Sequence, residues 1–187
     1  MRCRELEKCR SASPGKKMAG APSTLDRVLQ TCVEMVGDRG YAVDRASVDM
    51  DPAIVATRGD DVLHVRFLTS EDKIGVKVVR QLQAGLGDVT RLLLVSNEGP
   101  TPFTRKEVAE DERIEFWTFG KLVLNVTKFA IVPPHALVPP DDAARLAREY
   151  HVTSADEWPK LPRHDPICRY YDFPAGRLVK IDPRLWQ

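Results

Sequence analysis

The sequence predicts an α/β domain over residues 23–127, followed by a small α+β unit over residues 128–187. Up to about residue 127, segments with the apolar spacing of a helix alternate with segments that have the spacing of a strand. That alternation is typical of α/β layer structures. Beyond this point, frequent prolines exclude long helices and central strands, because proline lacks the backbone N–H that both require.

The first element is predicted to be a helix that begins near Ser23 and ends at Gly40. Ser23 can cap the first turn, and Gly40 can close the helix in the left-handed conformation. The buried face of this helix is indicated by apolar residues that recur three or four positions apart: Leu25, Val28, Leu29, Cys32 and Val36.

Three strands are predicted in the rest of this domain. Residues 62–68 alternate as a strand does, with three apolar side chains on one face: Leu63, Val65 and Phe67. Residues 91–95 form a short, continuously apolar run, as expected for a strand that is covered on both faces. Residues 114–119 have the composition of a third strand.

Two further helices are predicted between these strands. Apolar residues over positions 76–86 have helical spacing, and Gly85 and Gly87 weaken and close that helix. Thr101 can cap another helix with Pro102 at its first position, and this helix should extend to about residue 110.

The C-terminal unit is predicted to contain one short helix over residues 141–150, followed by turns and a short strand. Four side chains should form the inner face of this helix: Ala143, Leu146, Ala147 and Tyr150. A unit of about 60 residues buries only about 60% of its unfolded surface and is marginally stable alone. Docking onto something larger would stabilise it.

Charge and cysteine usage narrow the class of protein. The net charge is +1, but residues 1–22 hold six basic and two acidic side chains, which leaves −3 for the remainder. We expect residues 1–22 to be a basic, flexible leader and the body not to be a basic nucleic-acid binder. The four cysteines lack the spacing of a zinc site or a disulfide framework. No apolar run is long enough to cross a bilayer, so we expect a soluble, intracellular protein.

Catalytic chemistry is weakly indicated. The four histidines, at positions 64, 135, 151 and 164, adjoin no serine or cysteine in a nucleophile motif. A metal-dependent nuclease remains an alternative on the strength of five residues: Asp49, Asp51, Glu71, Lys73 and Lys77. Such a site needs the acidic residue and the lysine two apart on one strand, whereas Glu71 and Lys73 fall in a polar turn. No metal or other cofactor is therefore predicted.

The C-terminal unit resembles a known assembly domain. Its segments VPPHALVPPDDAARLAREYHV, LPR and DPICRYYDFPAGRLVKI are similar, in that order, to the assembly domain of the fifth-largest subunit shared by eukaryotic nuclear RNA polymerases, a domain that the archaeal RNA polymerase has as well. Sixteen positions carry the likeness: Val132, Pro133, His135, Arg148, Tyr150, Leu161, Pro162, Arg163, Asp165, Pro166, Arg169, Tyr170, Gly176, Val179, Lys180 and Ile181.

The resemblance extends upstream. VLQTCVEMVGDRGYAV is similar to the first helix of that family and its R-G-Y exit. The segment KIGVK at 73–77 and the turn GPTP at 99–102 resemble two steps of the family's jaw domain. The family therefore implies an α/β jaw domain over residues 23–127, with a mixed sheet and flanking helices, and an assembly domain over residues 128–187.

The resemblance implies a non-catalytic polymerase subunit that anchors to the largest subunit and lies beside downstream duplex DNA. The implied subunit interface comprises His135, Tyr150, Leu161, Pro162, Arg163, Asp165, Pro166, Arg169, Tyr170, Gly176 and Lys180. The residues implied near DNA are Thr101, Arg105 and Lys106, at a helix start whose N–H groups suit phosphate. General transcription factors are further partners, and the expected location is the nucleus. A stand-alone transcription adaptor is the second alternative.

The local chemistry of residues 165–181 suits a docking surface. Asp165 can cap a turn that Pro166 begins. Arg169 could then pair with Asp165 and present Tyr170 outward, and residues 173–176 should form a turn before a strand at residues 177–181.

Three features depart from the family pattern. The loop between LPR and the Asp-Pro step is short, and Asp172 and Ala175 replace commoner residues. The segment after residue 181 also differs from the strand that relatives carry there, so Trp186 could rebuild the docking edge. These departures fit a divergent version, including one encoded by a large DNA virus, which would place the protein in a viral particle or host cell.

Overall fold

A five-stranded mixed sheet with helices on both faces forms the N-terminal part of the protein in this computed structural model. The structure describes residues 23–68, 74–85, 87, 89–109, 111 and 113–182. The elements are α1 (Thr24–Asp38), β1 (Ala42–Ala46), β2 (Ile54–Arg58), β3 (Asp61–Leu68), α2 (Val76–Ala84), β4 (Arg91–Ser96), α3 (Pro102–Ala109), β5 (Ile114–Thr118), α4 (Phe119–Leu122), β6 (His135–Leu137), α5 (Pro140–Glu149), α6 (Pro166–Tyr171) and β7 (Val179–Ile181). The predicted leader, residues 1–22, lies outside the described residues.

The strands lie in the order β1-β2-β3-β4-β5. The pairs β1–β2 and β2–β3 are antiparallel, whereas β3–β4 and β4–β5 are parallel. The parallel strands are joined through α2 and α3, as crossover connections require. The predicted mixed sheet with flanking helices is therefore confirmed.

Strand β4 is buried on both faces, as its continuous apolar run predicts. Leu93 and Val95 pack in the cluster beneath α1, and Leu92 and Leu94 pack in the cluster beneath α2. This alternation of successive side chains sets the two layers of the core on either side of one strand.

Helix α1 begins and ends where the sequence predicts. The Ser23 hydroxyl accepts from the Asp26 N–H while the Asp26 carboxylate accepts from the Ser23 N–H, which makes a capping box. Gly40 has a φ of +85°, in the left-handed region that glycine tolerates best. Four apolar side chains of α1 are fully buried: Val28, Cys32, Met35 and Val36.

The hairpin of β1 and β2 is absent from the sequence-based assignment. Strand β1 forms one edge of the sheet, and four of its five residues are exposed, so it carries no apolar alternation. Ile54 and Ala56 of β2 are buried, but that strand is only five residues long. Pairing with β3 holds this hairpin, and pairing between strands is not encoded in local spacing.

The C-terminal segment, residues 124–182, contains a two-stranded antiparallel sheet and two helices. Leu137 of β6 lies opposite Val179 of β7, and His135 lies opposite Ile181. Helix α6 has Pro166 at its first position and Asp165 as its N-cap, with the Asp165 carboxylate accepting from the Ile167 N–H at 2.8 Å. The predicted cap is therefore confirmed.

A buried arginine joins α6 to the sheet. Arg39, at the end of α1, is 8% exposed. Its guanidinium donates to the carbonyl oxygens of Arg169 at 2.7 Å and Tyr170 at 2.8 Å, and it pairs with a carboxylate oxygen of Glu115 in β5 at 2.9 Å. One side chain thus satisfies two carbonyls near the C-terminal end of α6 and fixes this helix against α1 and β5.

Tyr170 makes the second link, and it corrects one sequence-based prediction. Its side chain is 2% exposed and belongs to the core cluster beneath α1, so the prediction that it points outward is wrong. Its hydroxyl donates to Asp38 at 2.8 Å and accepts from the Asn125 amide at 3.0 Å. Burial, and then the hydrogen bond to Asp38, raise the pKa of Tyr170.

Arg169 also differs from its predicted pairing. Its guanidinium lies 4.2 Å from the centre of the Trp117 ring and 3.7 Å from a carboxylate oxygen of Glu115, and it donates to the Phe116 carbonyl. It therefore binds the edge strand β5 of the N-terminal sheet. Asp165 instead accepts from backbone N–H groups at the start of α6, which leaves Arg169 for the strand.

The third link follows α6 directly. Asp172 ends that helix with a φ of +52°, a conformation that Asp adopts more readily than most residues. Its carboxylate pairs with the guanidinium of Arg91 at the start of β4. Burial alone would lower the pKa of Arg91, but the hydrogen bond to Asp172 outweighs it and raises that pKa. The departure from the family pattern at Asp172 thus has a structural role in this chain.

Replacing Arg39 by methionine should destabilise the protein by about 3–5 kcal/mol. The change removes a buried charge pair, leaves the Tyr170 carbonyl without its Arg39 donor, and leaves the Arg169 carbonyl with the 3.3 Å hydrogen bond from the Asp172 N–H. Urea unfolding gives the free energy, and limited proteolysis should cut the C-terminal segment before the sheet. Arg27→Met, at an exposed position of the same helix, is the matched control and should change stability by less than about 0.5 kcal/mol. Equal urea midpoints for the two variants would contradict the proposed joint.

Glu34 provides a pH-dependent contact between α1 and the turn at Val126–Lys128. Burial alone would raise its pKa, but hydrogen bonds from Gln30, Lys128 and Asn125 outweigh that effect and lower the pKa to about 2. A carboxylate with a lowered folded-state pKa stabilises the protein above its unfolded-state pKa, near 4.5, and loses that contribution as the pH falls towards 2.

Glu34→Gln should therefore cost about 1–2 kcal/mol at pH 7, and it should flatten the loss of stability between pH 5 and pH 2. Chemical unfolding at a series of pH values measures both effects. Parallel curves for the variant and the unchanged protein over this range would show that Glu34 contributes nothing to the acid sensitivity.

Candidate functional site

The residues proposed for a metal-dependent nuclease are not brought together in the described part of the chain. Glu71 and Lys73 lie outside it, Asp51 lies 3.4 Å from the Arg66 guanidinium, and Lys77 is exposed on α2. Within the described residues, no group of three His, Cys, Asp or Glu side chains could hold a metal ion. Among the same residues, no helix is long and apolar enough to span a membrane.

His64, Cys32 and His135 lie in structural surroundings. Burial, followed by the nearby positive charges of Arg66 and Arg45, lowers the pKa of His64. Cys32 is a free, buried thiol, and burial raises its pKa to about 12, so it carries little thiolate at neutral pH. His135 has its Nδ1 atom 2.7 Å from the Pro133 carbonyl oxygen.

The implied interface residues divide into inward and outward groups. Tyr170 is buried and Arg169 is bound to β5, so both serve the joint described above. Leu161, Asp165 and His135 are partly buried. The exposed members are Tyr150, Pro162, Arg163, Pro166, Gly176 and Lys180. The motif that carries the resemblance thus supplies both an internal joint and part of an outer surface.

The two-stranded sheet carries an exposed apolar face. Residues opposite each other in an antiparallel pair share a face, so His135, Leu137, Val179 and Ile181 lie on the same side. On that side Leu137 is 37% exposed and Ile181 is 45% exposed. Lys180 and Ala136 lie on the opposite side and are also exposed. We refer to the side with Leu137 and Ile181 as the apolar face of β6–β7.

Helix α5 is amphipathic but has no fully buried residue. The predicted inner face is partly buried at Ala143, Leu146 and Ala147, while Tyr150 is 64% exposed and packs edge-to-face with Trp158, at 6.1 Å between ring centres. The prediction that Tyr150 packs inward is therefore wrong. An amphipathic helix gains its stability chiefly by burying its apolar face, and this one is left with that face half covered.

The residues implied near DNA lie at the start of α3. The Thr101 hydroxyl accepts from the Thr104 N–H at 3.2 Å, which confirms the predicted cap. Thr104 is fully buried, and its hydroxyl donates to the Ile74 carbonyl, which anchors this turn to the segment before α2. Arg105 and Lys106 are exposed. The two cations therefore stand in solvent on an anchored turn, where an anion could reach them.

A groove of about 780 Å³ runs between β5 and the start of α6. Among the described residues, seven basic and three acidic side chains line it, and its lining also includes Phe116 and Phe173. Local spacing does not predict this groove, because its basic residues lie in separate segments of the chain. Lys121 of α4 and Arg163 before α6, for example, are brought together only by the fold.

Comparison with known proteins finds a likeness for the C-terminal segment. A family model described as RNA polymerase Rpb5, C-terminal domain, matches residues 124–184. This range includes β6, β7, α5 and α6, and so it contains both the apolar face of β6–β7 and the helix that Arg39 holds.

Similar proteins extend the likeness to most of the chain. RPABC1, a subunit of DNA-directed RNA polymerases I, II and III, is 27% identical in Caenorhabditis briggsae, over 86% of this chain and 78% of that protein. The Caenorhabditis elegans protein is 25% identical, over 83% and 86%. That of Dictyostelium discoideum is 24% identical, over 84% and 90%.

A solved structure, that of the protein of unknown function AF1548, covers 65% of this chain and 77% of its own, with a TM-score of 0.41 and 12% identity. The sequence relatives agree with one another and with the family model. Residues 124–184 are thus similar to the RNA polymerase Rpb5 C-terminal domain, and the chain as a whole is similar to the RPABC1 subunit of DNA-directed RNA polymerases I, II and III.

Proposed function

We propose that this protein is a non-catalytic subunit of a multisubunit DNA-directed RNA polymerase. Nucleotide addition would take place in the large subunits, and this chain would support transcription by its position in the complex. The observation that carries the proposal is an exposed apolar surface in the very segment that matches the Rpb5 C-terminal domain. The relatives are named as polymerase subunits, which supports the same role.

The C-terminal segment would be the assembly domain, and the apolar face of β6–β7 would dock on the largest subunit. A two-stranded sheet is marginally stable in water unless something covers it. Leu137 and Ile181 supply apolar contact, and Tyr150 after α5 is a further exposed aromatic side chain. Tyrosine is enriched at the centres of protein interfaces, which suits such a position.

The N-terminal sheet would then form a jaw beside downstream duplex DNA. Arg105 and Lys106 stand on the anchored turn at the start of α3 and would contact phosphates without reading the base sequence. Such contacts would be weak for the isolated chain, because only a few charges take part. The polymerase of a nucleus is the expected setting, and general transcription factors are further expected partners.

Charged substitutions on the apolar face should disrupt assembly without unfolding the chain. Leu137→Asp or Ile181→Asp is expected to reduce co-purification with the largest subunit at least tenfold, since a carboxylate would be buried without a partner. Met50→Asp is the matched control, because Met50 is 47% exposed and lies between β1 and β2. Thermal unfolding of each purified variant shows whether the fold is retained.

Stoichiometric co-purification of folded Leu137→Asp and Ile181→Asp variants would exclude this face as the docking surface. Native mass spectrometry of the complex separates a subunit from a stand-alone adaptor, since a subunit is present as one copy per polymerase. A substoichiometric or absent copy in purified polymerase would favour the adaptor.

Removing the charges of Arg105 and Lys106 should weaken duplex binding by the assembled polymerase. With both changed to alanine, we expect the slope of log affinity against log salt to fall by about 2, because two phosphate contacts are lost. Changing Arg27 and Lys77 to alanine removes the same charge from α1 and α2 and should leave the slope unchanged. Equal slopes for both pairs would overturn the proposed DNA contact.

A further inference from the structure

The groove between β5 and α6 has a local excess of positive charge, although the whole chain carries a net charge of only +1. The three carboxylates that line it among the described residues are already paired within the chain. Glu115 pairs with Arg39, Asp172 pairs with Arg91, and Asp111 pairs with Arg113. The negative charge in the groove is thus neutralised by the protein itself.

Three basic side chains of the groove remain. Arg105, Lys121 and Arg163 are exposed, and no hydrogen bond or ion pair to another side chain is found for them in the described part of the chain. They belong to α3, α4 and the segment before α6, so the fold places them around one concave surface. Cations without partners in a concave site attract an anion and raise its local concentration.

The wall of the groove also favours an apolar group. Phe116 of β5 and Phe173 after α6 line it, and both residues are partly buried. An occupant with both carboxylates and apolar side chains would satisfy the two kinds of lining. A short acidic segment of a protein has this composition.

Nucleic acid fits the same groove less well. Single strands are usually held by stacking their bases on exposed aromatic rings. Trp117 is 5% exposed and lies beneath the Arg169 guanidinium, so its ring is not offered to a base. Of the other two rings, Phe173 already stacks on Tyr171, and Phe116 packs against the cluster beneath α2. Duplex DNA is too wide to enter a concave site of about 780 Å³.

The edge of β5 limits how a peptide could bind. Arg169 donates to the Phe116 carbonyl, so this backbone acceptor of the edge strand is already occupied. A bound segment would accordingly be held through its side chains more than by adding a strand to the sheet.

We propose that the groove between β5 and α6 binds a short acidic segment of a partner protein. Carboxylates of that segment pair with Lys121 and Arg163, and an apolar side chain packs against Phe116 and Phe173. The groove lies apart from the apolar face of β6–β7, and the inference does not depend on polymerase assembly.

Fluorescence anisotropy with the full-length chain tests the proposal. The probe is a labelled ten-residue peptide in which glutamates alternate with leucine and phenylalanine, and its partner probe carries glutamine at every glutamate. We expect the glutamate peptide to bind at least tenfold more tightly at 50 mM salt, and to weaken as the salt is raised to 200 mM.

Matched variants locate the site. Changing both Lys121 and Arg163 to glutamate should weaken binding of the glutamate peptide at least tenfold, whereas changing Arg27 and Lys77 to glutamate alters the total charge equally and should not. Thermal unfolding checks that each variant is folded. Equal binding of the two peptides, or equal loss in the two variant pairs, would overturn the proposal. So would tighter binding of a ten-nucleotide single strand than of the glutamate peptide.

Discussion

The buried guanidinium of Arg39 is the contact on which the relation between the two parts of the chain depends. A buried charge is costly unless it is paired and fully hydrogen-bonded. Here Glu115 of β5 supplies the opposite charge, and two carbonyls of α6 accept the remaining N–H groups. Because these acceptors come from different parts of the chain, α1, β5 and α6 must come together for Arg39 to be buried at all. The burial of Arg39 therefore fixes α6 against α1 and β5.

These contacts give the motif at residues 165–170 an internal structural role. The Asp-Pro step begins and caps α6, while Arg169 and Tyr170 turn back to the N-terminal sheet and its core. The same short helix thus closes the chain on itself and holds the following turn near β4 through Asp172. With the motif facing inward, surfaces on β6–β7 and α5 are left outward. A segment that its own chain already holds rigid loses less conformational entropy on docking than a loosely tethered one.

The sequence predicted what depends on local spacing and failed where contacts are distant. The capping box at Ser23, the two-sided burial of β4 and the cap at Asp165 follow from residues within a few positions of one another. The acceptors of Arg39 are backbone carbonyls 130 and 131 positions away, and a carbonyl has no signature in a sequence. The basic groove was not predicted either, because its residues come from distant segments of the chain. Helix α5 shows the converse failure, because its spacing correctly indicates an apolar face but cannot say whether this chain or another covers it.

The C-terminal segment is small enough to be marginally stable alone. Part of it is covered by the N-terminal sheet, and the rest stays exposed. Helix α6 obtains its cover from the N-terminal sheet, where Ile167, Cys168 and Tyr170 are buried. The remaining elements gain much less, since α5 has no fully buried residue, and Leu137 and Ile181 of the small sheet stay well exposed. Burying apolar surface that folding leaves exposed lowers the free energy of association. The gain is large because the backbone beneath that surface is already ordered. The free energy of association with another protein would therefore come chiefly from α5 and the two-stranded sheet.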